Sequence, residues 1–196
     1  SGAAHVSHYQ LTLEPNTAFF ANPPTLPDDD SAWQMQAVTA SRLTQNGFTH
    51  YEISAWSKPG HECRHNLNYW RYGDFLGIGA GAHSKLSNAA DNTIRRLSKS
   101  RHPRRYLSGE YQATNRCIDD AEKTFEFFLN HLRLQERFTR SRFSGATGLP
   151  WSAAEAAVGI AMERGLLQEN ESGFSHTETG WRFINDIQAL FLPDHA

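Results

Sequence analysis

Apolar and polar residues alternate in two short segments of the amino-terminal third of the chain. Residues 5–13 (HVSHYQLTL) and 48–54 (FTHYEIS) combine this alternation with β-branched and aromatic residues, which favour extended backbone. Between them, apolar side chains recur at the spacing of one helical face: Trp33, Ala37, Ala40 and Leu43. Strand, helix and strand in this order predict a βαβ unit of a parallel sheet. Residues 75–79 (FLGIG) are predicted to form a third strand, so we expect an α/β fold.

The helix between the first two strands has recognisable ends. Asp28, Asp29 and Asp30 supply carboxylates that suit the unpaired amides and the positive dipole end of a helix amino terminus. Gly47 follows the last apolar position and is typical of a helix end. Three adjacent carboxylates would also suit a metal ion, but helix capping accounts for them without one.

The last third of the chain has the pattern of a small helical domain. A helix is predicted to begin at Asp119 and to carry one apolar stripe: Ala121, Phe125, Phe128, Leu129 and Leu132. Further helices are predicted at residues 138–143, from a cap at Ser152 and from Thr177, with a hairpin turn at residues 171–173. This order resembles a winged helix, a fold that often binds DNA. The helix after Ser152 is alanine-rich and poor in basic residues, so we expect no nucleic-acid partner.

Composition sets mild limits on the class of protein. The chain has 196 residues, 39% of them hydrophobic, and a formal net charge of -2, which gives no general attraction to nucleic acid or anionic lipid. Its two cysteines, Cys63 and Cys117, do not form a disulfide framework, so we expect a cytoplasmic protein. No apolar run approaches the ~18 residues that a membrane-spanning helix requires.

The densest candidate chemistry lies in residues 61–70 (HECRHNLNYW). Imidazole and thiolate groups are axial ligands of haem iron, and the rings of Tyr69 and Trp70 offer flat apolar faces to a planar macrocycle. A His-x-Cys-x-His run also suits zinc, although zinc usually takes four ligands and only Cys117 remains as a second thiol. A third interpretation is a loop whose polar side chains are simply hydrogen-bonded.

A glycine-rich stretch follows at residues 77–84 (GIGAGAHS). It would let backbone approach a small molecule closely, yet it has neither the dinucleotide-binding spacing nor the Gly-Lys-Ser/Thr of a phosphate loop. A tightly packed strand end explains it equally well. Because ligands of parallel α/β folds gather at the carboxyl ends of strands, its position after a predicted strand favours a site.

Six basic residues lie within residues 95–105: Arg95, Arg96, Lys99, Arg101, Arg104 and Arg105. They indicate either a ribbon that contacts carboxylates or phosphates, or a solvated strand edge. The stretch also marks a domain boundary, which we place between residues 1–110 and 111–196.

Several segments together resemble the oxygen-independent coproporphyrinogen III oxidase-like proteins of the radical SAM superfamily, and among them the HemW-type haem chaperones. The resemblance covers residues 5–192 and is carried by YQLTLEPNT (9–17), LPDDD (26–30), YEIS (51–54), KPGHECRHNLNYWRYGDFLGIGAGAHS (58–84) and EFFLNHLRL (126–134). It implies the C-terminal portion of a partial TIM-like radical SAM barrel, followed by a small, mostly helical, winged-helix-like domain. The function implied is haem binding by a chaperone of porphyrin and haem metabolism; the alternative is radical decarboxylation of coproporphyrinogen III to protoporphyrinogen IX.

The resemblance also implies a set of site residues. The HNLNYW motif, associated with haem in HemW-type proteins, falls on His65, Asn66, Asn68, Tyr69 and Trp70. His65 is the expected axial ligand of haem iron, and Cys63 is the reserve. Contacts to S-adenosylmethionine would map to Thr12, Ile78, Gly79 and Ala80.

The chain departs from the family in one respect. Radical SAM proteins hold a [4Fe–4S] cluster through three closely spaced cysteines, and Cys63 and Cys117 cannot replace that motif. We therefore expect no catalytic residue in this chain, with the cluster and S-adenosylmethionine belonging to the full-length protein only. The expected partners are haem or porphyrin, haem-acceptor proteins and, through an exposed barrel edge, further copies of the chain.

Overall fold

The computed structural model describes residues 2–193, which form two compact units that divide between Cys63 and Arg64. The first unit contains strand β1 (His5–Ser7), helices α1 (Ala18–Ala21) and α2 (Asp29–Gln45), and strands β2 (Thr49–Glu52) and β3 (Ala55–Ser57). None of the helices within the described residues is long and apolar enough to cross a membrane.

The strands of the first unit pair in the order β1-β3-β2, and both pairings are antiparallel. The predicted parallel pairing is therefore wrong for adjacent strands. The chain turns back directly after β2, at Ile53 and Ser54, so β3 pairs with β2 and also takes the place beside β1. β1 and β2 consequently run in the same direction, with β3 between them.

The first strand is also shorter than predicted. It ends at Ser7, and one more backbone bond follows it, from the His8 amide to the Ser54 carbonyl oxygen at 2.8 Å. Beyond this point β3 offers no further residues, and Tyr9 and Leu11 are exposed. A strand extends only as far as a neighbour can satisfy its amides and carbonyls.

The helix starts are the best-predicted local features. Asp28 caps α2, its carboxylate accepting a hydrogen bond from the Ser31 amide at 2.7 Å, and that bond lowers the pKa of the Asp28 carboxyl. Asp119 caps α5 (Asp120–His131) in a reciprocal box with Glu122. Of the three aspartates at the start of α2, Asp28 is the cap, and Asp29 and Asp30 lie in the first turn, where carboxylates interact favourably with the helix dipole.

The second unit begins with helix α3 (Arg64–Trp70) and an antiparallel sheet. The sheet consists of β4 (His83–Asn88), β5 (Thr93–Lys99) and β6 (Gln112–Cys117), in that order, with the short helix α4 (Pro103–Leu107) between β5 and β6. The HNLNYW motif, read from the sequence as a connecting segment, is helical instead.

Residues 75–79 do not form the predicted strand. Phe75 makes an isolated bridge to Lys85, and the Gly77 amide then bonds the Ser84 hydroxyl at 2.9 Å rather than a backbone carbonyl. The chain passes so close to β4 here that a Cβ on Gly77 would lie 2.1 Å from the His83 carbonyl oxygen. This proximity, not a parallel ladder, explains the glycine.

The helical part contains α5, α6 (Arg140–Thr147), α7 (Ser152–Glu163), the hairpin of β7 (Leu167–Asn170) and β8 (Gly173–His176), and α8 (Glu178–Arg182) and α9 (Ile184–Ala189). Its core is aromatic: Phe127, Phe128, Phe138, Phe143 and Phe174 are buried. The predicted hairpin is confirmed.

Two predicted helix starts in this part are displaced. Thr139 caps α6, which begins two residues later than predicted because Phe138 bridges Phe174 of the hairpin. Ser152 is the first helical residue of α7 and not its cap; Trp151 holds that position with helical backbone angles and no side-chain bond.

Candidate haem-binding surface

Helix α3 presents an exposed imidazole on a short line of aromatic rings. His65 is exposed, and its ring meets the Tyr69 ring edge to face with centroids 4.6 Å apart. The Tyr69 ring in turn lies 4.2 Å from that of Phe75. Within residues 2–193, no hydrogen bond occupies either ring nitrogen of His65. One helical turn between His65 and Tyr69 produces the contact, since residues four apart lie on the same face.

Asn68 faces the turn that follows α3. Its side-chain amide donates a hydrogen bond to the Asp74 carbonyl oxygen at 2.9 Å. Tyr72 has a positive φ of 60°, and the Gly73 amide bonds the Asn68 carbonyl oxygen at 2.8 Å. A Cβ on Gly73 would lie 2.2 Å from the Asn68 side-chain oxygen, so the turn requires glycine. Asn68, predicted as a cofactor contact, thus has a positioning role within the protein.

A buried lysine also forms hydrogen bonds with this turn. Lys85 of β4 is 2% exposed, and its ammonium donates to the Tyr72 carbonyl, the Asp74 carboxylate and the Ser87 hydroxyl at 2.9–3.0 Å. The ammonium also lies 4.1 Å from the Tyr72 ring centroid. Burial lowers the pKa of Lys85, whereas the bonds to Ser87 and Lys85 hold the pKa of Asp74 below its usual value.

Hydrogen bonds to Glu126 join this turn and β5 to the helical part. The Tyr72 hydroxyl donates to Glu126 of α5 at 2.9 Å, and Arg96 of β5 donates to both carboxylate oxygens of Glu126. Burial and the neighbouring Glu126 raise the pKa of Tyr72. Because these bonds link α5, β5 and the turn, they fix the turn that follows the carboxyl end of α3.

The remaining motif residues are partly enclosed. Trp70 is half-buried, with the Arg133 guanidinium 4.4 Å from its ring centroid, and Asn66 is half-buried as well. Trp70 therefore packs against a cation of the helical part. Of the motif, the structure brings the His65 and Tyr69 rings into contact, and it bonds the exposed Asn68 side chain to the turn that follows α3.

Three of the four residues predicted to contact S-adenosylmethionine, namely Ile78, Gly79 and Ala80, lie in an exposed turn of the same unit. Ile78 is 88% exposed and Ala80 is exposed. Gly79 has a φ of 107°, and its amide donates to the Tyr106 hydroxyl at 3.1 Å. One backbone donor of this turn is therefore already used within the protein.

Thr12 and Cys63 belong to the first unit. Thr12 is exposed in a segment without regular secondary structure. Cys63 is half-buried, and its backbone amide donates to the Tyr51 hydroxyl at 3.2 Å, which also bonds the His5 imidazole at 2.7 Å. The segment before α3 is thus anchored to the small sheet.

Sequence reasoning missed the supporting residues Tyr72, Asp74, Lys85 and Glu126. A lysine within an otherwise ordinary strand gave no signal, because only the fold shows that it is buried. The Tyr72-Gly73-Asp74 turn could have been found, since Gly and Asp favour turns.

The comparisons with known proteins agree on one family. Residues 118–183 match the HemN C-terminal domain. The chain is 43% identical over 190 residues to the heme chaperone HemW of Haemophilus influenzae, covering 97% of this chain and 49% of that protein. It is 44% identical over 190 residues to the HemW of Escherichia coli, with 97% and 50% covered. The chain spans about half the length of the curated relatives it matches.

A solved structure resembles this fold. The coproporphyrinogen III oxidase HemN of Escherichia coli, described as a radical SAM enzyme, superposes with a TM-score of 0.68 at 15% identity. The superposition covers 96% of this chain and 48% of HemN, and at that identity it supports the fold alone. The chain thus resembles about half of the heme chaperone HemW in sequence, matches the HemN C-terminal domain at residues 118–183 and shares its fold with HemN.

Proposed function

We propose that this chain binds haem through His65 and acts in a haem chaperone. The single observation that carries the proposal is the exposed His65 imidazole, held edge to face against Tyr69 on α3. Imidazole is a common axial ligand of haem iron. The relatives named heme chaperones, at 43% and 44% identity, support the assignment of this chemistry to this surface.

The residues of α3 and of the segment that follows it suit haem in three respects. Both His65 nitrogens are without internal hydrogen bonds among the described residues, so either can donate to iron. The Tyr69 ring limits how the imidazole can rotate, which favours one ligand orientation. Leu76 and Ile78 are 75% and 88% exposed and offer apolar surface to a macrocycle in the segment that continues from Phe75.

Haem supplies the iron that His65 would coordinate, and the protein's own part is to bind and orient it. The Tyr69 ring packs between His65 and Phe75 and so positions the His65 imidazole. The contacts of Lys85 and Glu126 hold the turn that follows α3. Partners of the chaperone, namely proteins that accept haem, belong to this proposal, as does association of copies through the edges of the small sheet.

The cluster and its chemistry do not fit the residues present. Three thiolates are required, and the sequence supplies Cys63, half-buried, and the exposed Cys117. No step is therefore assigned to a cluster here, and radical decarboxylation is not proposed for this chain alone. Binding of S-adenosylmethionine at Ile78, Gly79 and Ala80, and the contact at Thr12, remain predictions.

The finer fold assignment is also part of the proposal. We infer that residues 1–110 contain the end of a partial barrel, and that α6, α7 and the hairpin form a winged-helix-like domain. The parallel directions of β1 and β2 and the helix, helix, hairpin order support this. The boundary between residues 1–110 and 111–196 stays a prediction.

A haem titration tests the proposal. The 196-residue chain is titrated with haemin, and the Soret band is followed for the unsubstituted protein, His65→Ala and His61→Ala. His61 is also exposed and lies four residues before His65, outside the HNLNYW motif, so it controls for loss of a surface imidazole. We expect saturable binding that His65→Ala abolishes and His61→Ala leaves intact.

Cys63→Ser distinguishes the reserve ligand. If the thiolate were the ligand, this variant would lose binding and His65→Ala would retain it. Equal binding by His65→Ala and the unsubstituted chain would overturn the assignment of His65.

A further inference from the structure

The basic residues at 95–105 fall into two groups: three contact a polar or acidic side chain, and three have no acidic partner among the described residues. Arg95 bonds Asn115, Arg96 bonds Glu126, and Arg105 lies 4.0 Å from Glu110. Lys99, Arg101 and Arg104 have no acidic partner among the described residues. Arg101 and Arg104 are exposed as well. The sequence presented six equivalent charges, whereas the fold leaves two exposed guanidinium groups available to a ligand.

These two arginines lie beside the glycine-rich turn. The Gly81 amide donates to the Ser100 carbonyl at 2.9 Å, and the Lys99 amide donates to the Ala82 carbonyl at 2.8 Å. A Cβ on Gly81 would lie 3.8 Å from Arg101 Cα and Cγ. The Gly79 bond to Tyr106 brings helix α4, which contains Arg104, against the same turn.

The same place carries exposed apolar side chains. Leu76, Ile78 and Leu107 are 75%, 88% and 80% exposed. Leu76 and Ile78 lie between Phe75, which contacts the Tyr69 ring, and Gly79, which bonds Tyr106. Aliphatic surface flanked by unpaired guanidinium groups is complementary to a ligand with an apolar body and carboxylate ends.

We propose that Arg101 and Arg104 bind the propionate carboxylates of the tetrapyrrole whose iron His65 coordinates. The inference rests on the proposed function and deepens it, because it assigns the polar edge of the ligand. The guanidinium fork matches a carboxylate with two parallel bonds. The apolar macrocycle would cover Leu76 and Ile78, which are otherwise open to water.

A series of contacts leads from His65 to the turn beside the two arginines: the Tyr69 ring lies 4.6 Å from that of His65 and 4.2 Å from that of Phe75. The four residue steps from Phe75 to Gly79 span at most ~14 Å of extended chain. At the end of this segment the Gly79 amide bonds the Tyr106 hydroxyl of α4, the helix that contains Arg104. The carboxylate of Glu110, 4.0 Å from Arg105, is the nearby opposing charge, and it leaves the other two cations unpaired.

The test compares two ligands and three proteins. Haemin and haemin dimethyl ester, whose propionates are esterified, are titrated into the unsubstituted chain, Arg101→Gln/Arg104→Gln and Arg42→Gln/Arg164→Gln. The last variant removes the same charge from two exposed arginines, one in α2 and one at the end of α7. We expect the first double variant to bind haemin about tenfold more weakly, and the control to bind it as the unsubstituted chain does.

The ester supplies the second criterion. The unsubstituted chain should bind the ester about tenfold more weakly than haemin, while Arg101→Gln/Arg104→Gln should bind both alike. Haemin binding that depends on His65 but is equal in the two double variants would overturn this inference and leave the proposed function standing. Haemin binding that is insensitive to His65→Ala would overturn the proposed function, and the inference with it.

Discussion

The Asn68 side chain donates a hydrogen bond to the Asp74 carbonyl oxygen at 2.9 Å, closing the turn that follows α3. Lys85 binds the other side of that turn through the Asp74 carboxylate and the Tyr72 carbonyl. The helix that carries His65 is therefore fixed at its carboxyl end by contacts with β4. The HNLNYW motif suggests ligand contacts along its whole length, but the Asn68 side chain bonds the protein's own backbone.

Replacing Asn68 with alanine should destabilise the protein by about 1 kcal/mol, because one hydrogen bond to a backbone carbonyl is lost. Urea unfolding followed by circular dichroism measures the change. Asn185→Ala is the matched control: Asn185 is exposed on α9, and its loss should cost less than about 0.5 kcal/mol. Equal stabilities of the two variants would contradict the positioning role of Asn68.

Alanine at Gly77 should destabilise the protein by about 2 kcal/mol, whereas alanine at Gly145 should not. A Cβ on Gly77 meets the His83 backbone at 2.1 Å, so the 75–80 segment must move away from β4. Gly145 lies in α6 with nothing near its Cβ position, and alanine there is expected to stabilise the helix by about 0.5 kcal/mol. Unfolding midpoints in urea compare the two; a tolerated Gly77→Ala would show that the segment packs differently.

The Glu126 carboxylate should contribute more than a surface acid of the same type. Glu126→Gln weakens the bonds from Arg96 and Tyr72, whose partners are largely shielded, and should cost about 2 kcal/mol. Glu169→Gln, which removes a more exposed ion pair with Arg140, should cost less than about 1 kcal/mol. Free energies of unfolding at low and high salt test the contrast, and the Glu169 value should shrink more with salt.

Stability should fall as the pH drops from about 6.5 to about 4. Burial lowers the pKa of His131, whose other neighbours are Glu136, Arg142 and His176, to about 4. Burial also lowers the pKa of His176 to about 4. Within this range the unfolded chain binds protons that the folded protein excludes, so protons favour unfolding. The loss for His131 approaches about 3 kcal/mol at the lower end.

His131→Phe tests this titration. The His131 ring lies parallel to the Phe127 ring at 5.3 Å, so phenylalanine retains the ring packing while removing the ionisable group. The free energy of unfolding should then depend less steeply on pH between 6.5 and 4. His83→Phe, at an exposed position, controls for loss of an imidazole from the surface. An unchanged slope in His131→Phe would contradict the assignment.

Local signals in the sequence predicted the starts of α2 and α5 and the hairpin. Asp28 and Asp119 bond amides three residues away, and the turn at residues 171–173 joins strands that are adjacent in the chain. These interactions form within a few residues, so the residue types present at each position are enough to identify them. The family resemblance, from the long 58–84 segment, was likewise available from the sequence.

Strand order and the roles of individual charges depended on the tertiary structure. β3 takes the place between β1 and β2, and no local pattern indicates which strand becomes the neighbour of which. Arg96 finds Glu126 thirty residues away, whereas Arg101 and Arg104 remain exposed, although all three look alike in sequence. The sequence by itself determined which chemical groups are present and where α2 and α5 begin. Only the folded chain decided which groups are buried, paired or exposed, because these properties depend on contacts between residues far apart in the chain.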